Sequence, residues 1–243
     1  MKSTALKRTR TAAQLNRDVQ AALAWLKRAS SRKVRDGMAR YGLPSDHALG
    51  VGVGTIQTLA RELGRDQPLA EALWDTGVYE ARLLAAFVGD PAALKPALME
   101  RWCADFDNWG VVDTVCFKLF DQSPHAWKKV APWSRQKGEF QKRAGVVLLA
   151  CLAGHDEHAT DAAFLRCLPV VERAAADERN FVKKGVSWAL RMVGRRNRAL
   201  NAAALEIGER LAASAKPTER WIGKDVVREL TSAAVQRRVA TRG

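Results

Sequence analysis

No Cys-x-x-Cys pair occurs in this sequence. Its four cysteines, Cys103, Cys116, Cys151 and Cys167, stand 13, 35 and 16 residues apart, each in or beside an apolar helical pattern. That spacing excludes the usual zinc frameworks and points to buried, reduced thiols in a reducing compartment. Uncharged apolar runs of about 18 residues are missing, and the basic start "MKSTALKRTRTAAQLNRD" leads into no apolar core of a signal peptide. A membrane span and a secretory leader are thereby set aside, and a soluble, cytoplasmic, nucleoid-associated protein is expected. Alternating strand patterns are almost absent as well, so helices must build the core. Acid is scarce, with 26 Asp and Glu against 40 Lys and Arg, a formal net charge of +14.

That charge is unevenly placed. Residues 1–40 carry 11 Lys/Arg against 2 acids and residues 181–243 carry 14 against 5, a surplus of 9 at each end around a middle of −4. Such a field attracts polyanions, nucleic acid first. At 47% hydrophobic residues, 243 residues suffice for a substantial core. Apolar residues recur at three- and four-residue steps in "AALAWLKRA", "TIQTLARELG", "ARLLAAFVG" and "AGVVLLACLAG". Breaks fall at clusters such as "YGLPSDHALGVGVG", "DQSPHA" and "SAKPTE", which predicts an all-α chain of about ten to twelve helices.

A repeat underlies those helices. Tyr79/Arg82, Phe140/Arg143, Phe181/Lys184 and Trp221/Lys224 each place an aromatic residue three positions before a basic one, at separations of 61, 41 and 40 residues. Trp109 falls about halfway through the long first interval. A period near 40 built from helix pairs is the signature of HEAT or armadillo solenoids. The expected organisation is a basic mobile tail over residues 1–12 and a single HEAT-like repeat domain over 13–243. If the basic residues point into the concavity of such a stack, it becomes a trough for duplex DNA. The alternative is that each motif merely opens an amphipathic helix whose basic residue reaches for solvent.

Within "FDNWGVVDT", Trp109 and Asp113 are four apart, so one helix face carries both an indole and a carboxylate. An ionised aspartate in so apolar a run needs a cation or a cleft. Arg143 and the helix "FVKKGVSWALRMVGRRNR" are the natural suppliers. In that helix Lys184, Trp188, Arg191 and Arg195 follow steps of four, three and four, a ring flanked by cations. Trp188 is either a stacking surface for a sugar or base or a core residue of the repeat. Arg195, Arg196 and Arg198 of "GRRNR" are read as phosphate contacts at the end of the helix. "GVGVGT" has neither the preceding strand nor the following Lys of a phosphate loop and reads as a flexible interhelical loop. "HDEH" lacks a third ligand in sequence and reads as a solvated turn, so no metal is expected.

The segments "DNWGVVD", "EFQKRAGVVLLA", "DERNFVKKGVSWALRMVGRRN" and "RWIGKDVVREL" carry a resemblance to the AlkD-like HEAT-repeat DNA alkylation repair glycosylases, spanning roughly residues 36–230. The resemblance implies that the family's aromatic and carboxylate pair falls on Trp109 and Asp113, its cleft arginine on Arg143 and its second aromatic wall on Trp188. An early-helix aromatic of the family has Tyr41 as its nearby counterpart. It further implies a monofunctional glycosylase that acts as a monomer without a cofactor on alkylated bases in double-stranded DNA.

The chemistry of such a site is consistent with these residue types. A purine alkylated at N3 or N7 is cationic and leaves as a neutral base without a general acid. What remains to be stabilised is oxocarbenium character on the deoxyribose, which a carboxylate near C1′ does while orienting the attacking water. Indole faces favour a cationic nucleotide by about 0.5–2 kcal/mol. Arg143 would hold a phosphate beside the lesion, with Lys184, Arg191, Arg195, Arg196, Arg198 and Tyr41 as further DNA contacts. A non-catalytic HEAT-repeat protein that binds branched or distorted DNA is the competing expectation.

Overall fold

The computed structural model describes residues 11–43 and 47–241. All regular structure among them is helical, in two compact units, Met1–Asp90 and Pro91–Gly243. The first holds α1 (Ala12–Arg28), α2 (Arg32–Met38), α3 (Val53–Leu63), α4 (Gln67–Trp74) and α5 (Tyr79–Val88). The second holds α6 (Pro96–Ala104), α7 (Trp109–Lys118), α8 (Ala126–Ser134), α9 (Glu139–His155) and α10 (Asp161–Ala174). It continues with α11 (Asn180–Gly194), α12 (Arg198–Ala212), α13 (Pro217–Leu230) and α14 (Ala233–Ala240). Fourteen α-helices among the described residues exceed the ten to twelve read from periodicity, because short ones such as the seven-residue α2 and eight-residue α4 and α14 show too few turns for a pattern. Of the tail read over residues 1–12, residues 1–10 lie outside the described residues. Thr11 accepts a hydrogen bond from the Gln14 amide as the cap of α1, and Ala12 opens that helix.

In the second unit helix pairs repeat. The first helices α8, α10 and α12 start at 126, 161 and 198, the second helices α9, α11 and α13 at 139, 180 and 217. Each second helix packs on the next, α9 on α11 and α11 on α13, and also on its own pair partner. This is the stacking that a period near 40 demands, since no single pair can bury its apolar faces alone. α9 sits innermost, with every residue from Arg143 to Ala153 buried, so its run "AGVVLLACLA" is apolar on all sides. All four cysteines are free and buried, and burial pushes the Cys103 thiol up to about 12, which leaves it protonated and unreactive at neutral pH.

In the first unit only residues 50–52 of the "GVGVGT" segment lie in an interhelical loop. Val53, Gly54 and Thr55 are the first turn of α3, and the preceding amides converge on one carboxylate. Glu80, fully buried on α5, accepts from the amides of Leu49 (2.8 Å), Gly50 (2.6 Å) and Val51 (3.1 Å). Gly50 adopts φ 81°, and a Cβ there would lie 2.3 Å from the Ser31 carbonyl oxygen, so only glycine fits. Replacing Glu80 by alanine removes the carboxylate that these three amides share. We expect a loss of about 3 kcal/mol or more, read as a lowered midpoint in thermal or urea unfolding, because each buried unsatisfied donor costs about 1–3 kcal/mol.

Candidate functional site

α7 begins at Trp109 because Asn108 caps it, its side-chain oxygen accepting from the Val111 amide at 2.9 Å. The strand of chain entering this cap is held by Gln141 of α9, whose amide nitrogen lies 3.1–3.2 Å from the carbonyl oxygens of Cys103, Ala104 and Phe106. Trp109 is half-buried, and one turn later Asp113 keeps 22% of its side chain exposed. Neither Asn108 nor Gln141 was singled out in the sequence, although both lie inside the segments that carry the family resemblance. A capping Asn is a local signal, but a glutamine's reach to another helix is not.

Arg143 explains how Asp113 stays in so apolar a helix. Its Nε donates to Oδ1 at 2.9 Å and one terminal nitrogen donates to Oδ2 at 2.7 Å, a two-pronged pair. The other terminal nitrogen donates to the Phe181 carbonyl at the start of α11 (2.5 Å), and only 5% of Arg143 is exposed. Arg143 thus joins α7, α9 and α11 around one carboxylate. Each of its three nitrogens thus has a partner inside the protein. Burial pushes the Asp113 carboxyl above the ordinary carboxylate range, and the charge and hydrogen bonds of Arg143 pull against that rise. Each carboxylate oxygen accepts one bond from Arg143, so lone pairs remain for a further donor at the exposed edge.

At about 100° per residue, α11 sorts its side chains into three faces. Toward α13, Ser187 Oγ donates to Asp225 at 2.6 Å, Arg191 pairs with Asp225 and Glu229, and Lys183 lies 4.8 Å from the Trp221 ring centre. Toward α9, a Cβ on Gly185 would sit 2.8 Å from Val146 and 3.5 Å from Arg143, so the two helices meet closely beside the ion pair. Between these faces runs a strip that includes Phe181, Lys184, Trp188 and Arg195. Lys184 is exposed, while Phe181, Trp188 and Arg195 are half-buried. Phe181 also packs on Phe140 of α9, ring centres 5.6 Å apart. Of the sequence's basic stripe, Lys184 and Arg195 lie on this strip and Arg191 turns away to α13. Arg195 is within 2.6 Å of Glu229.

The remaining predicted residues divide. Arg196 donates to the Ala153 carbonyl at 2.9 Å and lies 4.4 Å from the Phe164 ring centre, contacts that bind α11 to α9 and α10. These contacts fix where the Arg196 guanidinium sits. Arg198 is exposed at the first position of α12. Tyr41 belongs to the first unit, 70% exposed on the turn Ala39–Tyr41. In "HDEH", His155 is no part of a solvated turn but the last residue of α9, where its Nδ1 meets the buried carboxylate of Asp121. The basic residues of the repeat frame likewise differ from one another: Lys184 and Lys224 are exposed, Arg82 lies 5.0 Å from the Trp74 ring centre, and Arg143 is buried.

Asp113 paired to Arg143 beside Trp109 thus lies within segments that resemble one repair family. The model of the family described as "DNA alkylation repair enzyme" matches residues 22–224. The chain belongs to this family. Tyr41, Trp109, Asp113, Arg143, Lys184, Trp188, Arg191, Arg195, Arg196 and Arg198 all lie in the matched stretch of this alkylation repair family member. A solved chain from "a new family of proteins related to the HEAT-like repeat DNA glycosylases with affinity for branched DNA structures" has a TM-score of 0.73 at 20% identity, covering 87% of this chain and 95% of its own. That likeness establishes the HEAT-like repeat fold. A designed armadillo repeat protein matches 74% of this chain and 93% of its own at 11% identity and a TM-score of 0.34. No curated protein sequence matched the chain.

Proposed function

We propose that this family member is a monofunctional DNA glycosylase that hydrolyses the N-glycosidic bond of cationic N3- or N7-alkylated purines in duplex DNA. The observation that carries the reading is the Asp113 carboxylate: anchored by two bonds from Arg143, flanked by Trp109, and still 22% open to solvent. As the bond from C1′ breaks, its electron pair neutralises the purine, and the positive character left on the sugar faces Asp113. Water then bonds to C1′ and releases its proton. Because Arg143 already holds the carboxylate, little reorganisation is needed when charge develops, which is what makes such stabilisation effective. Trp109 supplies an indole beside the sugar and Trp188 a second one on the α11 strip, with exposed Lys184 and Arg198, and half-buried Arg195 paired to Glu229, as the basic side chains for the DNA backbone.

The test is release of methylated purines from duplex DNA treated with a methylating agent, followed against pH. Excision requires ionised Asp113. Activity is therefore present above its folded pKa and lost as pH falls through it, and the upward push of burial sets this acid limb above the range of an ordinary carboxylate. A pH profile flat down to that ordinary range would remove Asp113 from the reaction. The solved relative's affinity for branched DNA motivates the second reading, binding without chemistry. Tight binding of branched duplexes with no release of methylated base would establish it instead.

A further inference from the structure

Beyond the carboxylate site, the second unit contains a cavity of about 480 Å³ at the C-terminal ends of α9 and α11. Arg195, Arg196 and Arg238 line it with Glu157, so three guanidiniums face one carboxylate. Two of the three are set in place by the fold. Arg195 lies 2.6 Å from Glu229, a carboxylate it shares with Arg191, and Arg196 is fixed by the Ala153 carbonyl and the Phe164 ring. Arg238, exposed on α14, supplies the third from another helix. The ends of α9 and α11 present carbonyls and the negative ends of their dipoles, which alone would repel an anion. Arginine clustered there reverses that sign, and planar guanidiniums match phosphate oxygens with paired hydrogen bonds.

We infer that this cavity is a phosphate-binding site, formed by Arg195, Arg196 and Arg238 above Gly154. Its volume exceeds what one phosphate group fills and lies in the range of small-ligand pockets, leaving room for the sugar attached to that phosphate. Arg195 is seven residues beyond Trp188 on the same strip, a rise of about 10 Å. Along one DNA strand, at about 3.4 Å per charge, that is about three nucleotides. A backbone phosphate is thus one source of the ligand, on the assumption that the proposed DNA substrate crosses this strip. A free phosphate compound is the other source and needs no such assumption.

Inorganic phosphate titrated into the full-length protein at constant ionic strength, followed by calorimetry, is expected to bind saturably. Arg238→Gln should weaken that binding at least tenfold. Gly154→Glu should abolish it by placing a carboxylate at the floor, where the new Cβ would meet only the flexible end of Met192 at 3.1 Å. If the ligand is a DNA phosphate, Arg238→Gln also makes the slope of log affinity against log salt for duplex DNA shallower by about 0.9. If phosphate binding is lost with that slope unchanged, the site serves a free phosphate compound. No saturable phosphate binding by the wild-type protein, together with unchanged salt slopes in both variants, overturns the inference. Arg238 is exposed, so an unchanged thermal midpoint will confirm that its variant is folded. Excision by the Asp113 site is measured separately and stands or falls without this cavity.

Discussion

Asparagine in place of Asp113 is expected to lower release of methylated purines by on the order of 10²–10³, the usual cost of removing one preorganised electrostatic contact to a transition state. The substitution keeps the shape and one acceptor for Arg143 but removes the negative charge that faces the sugar. Affinity for undamaged duplex should change little, because Asp113 is no part of the basic surface. The variant also leaves a buried guanidinium without its counter-charge, so unfolding must be measured alongside. A variant that stays folded at the assay temperature and excises as fast as the wild type would end the proposed role of Asp113. One that binds duplex normally and releases no base would place the defect in the chemical step.

Methionine in place of Arg143 tests the geometry from the other side. Breaking a buried pair by removing one partner typically costs about 3–5 kcal/mol, and here three hydrogen bonds go with it. The two influences that lower the Asp113 pKa both come from Arg143, so their loss leaves burial unopposed. The acid limb of excision should therefore move to higher pH than in the wild type. The salt dependence of duplex binding should not change, because Arg143 is 5% exposed and its nitrogens face protein acceptors. A salt slope shallower by about 0.9 would instead make Arg143 a phosphate contact. A folded variant with an unmoved acid limb would show that Arg143 does not tune the carboxylate.

The two substitutions also mark where sequence reasoning stops. That Asp113 needed a cation followed from its place among Val111, Val112, Val115 and Cys116, since an unpaired charge there is too costly. That Arg143 was a candidate followed from the repeat frame. The consequence for Arg143 itself was not legible: the pairing that stabilises the acid, with the bond to Phe181, engages three of the arginine's five N–H donors inside the protein. Arg82, Arg143, Lys184 and Lys224 occupy one sequence frame yet differ from stacked and buried to exposed, because each faces a different neighbour. The anchoring of the glycine run and of His155 in "HDEH" escaped the sequence for one reason. Their partners, Glu80 and Asp121, lie 29–31 and 34 residues away, beyond any local pattern.

By itself the sequence determined the helical class, the period near 40 and the shared face of Trp109 and Asp113. Those depend on the spacing of apolar and aromatic residues along one chain, which a helix turns directly into geometry. Only the tertiary structure decided which charges meet. Arg143 closing on Asp113, Arg191 turning to α13, Arg196 settling on Phe164 and Arg238 joining Arg195 at one cavity all depend on how neighbouring helices stack. A long basic side chain takes whichever acceptor that stacking brings within reach, and its own position in the repeat does not specify which.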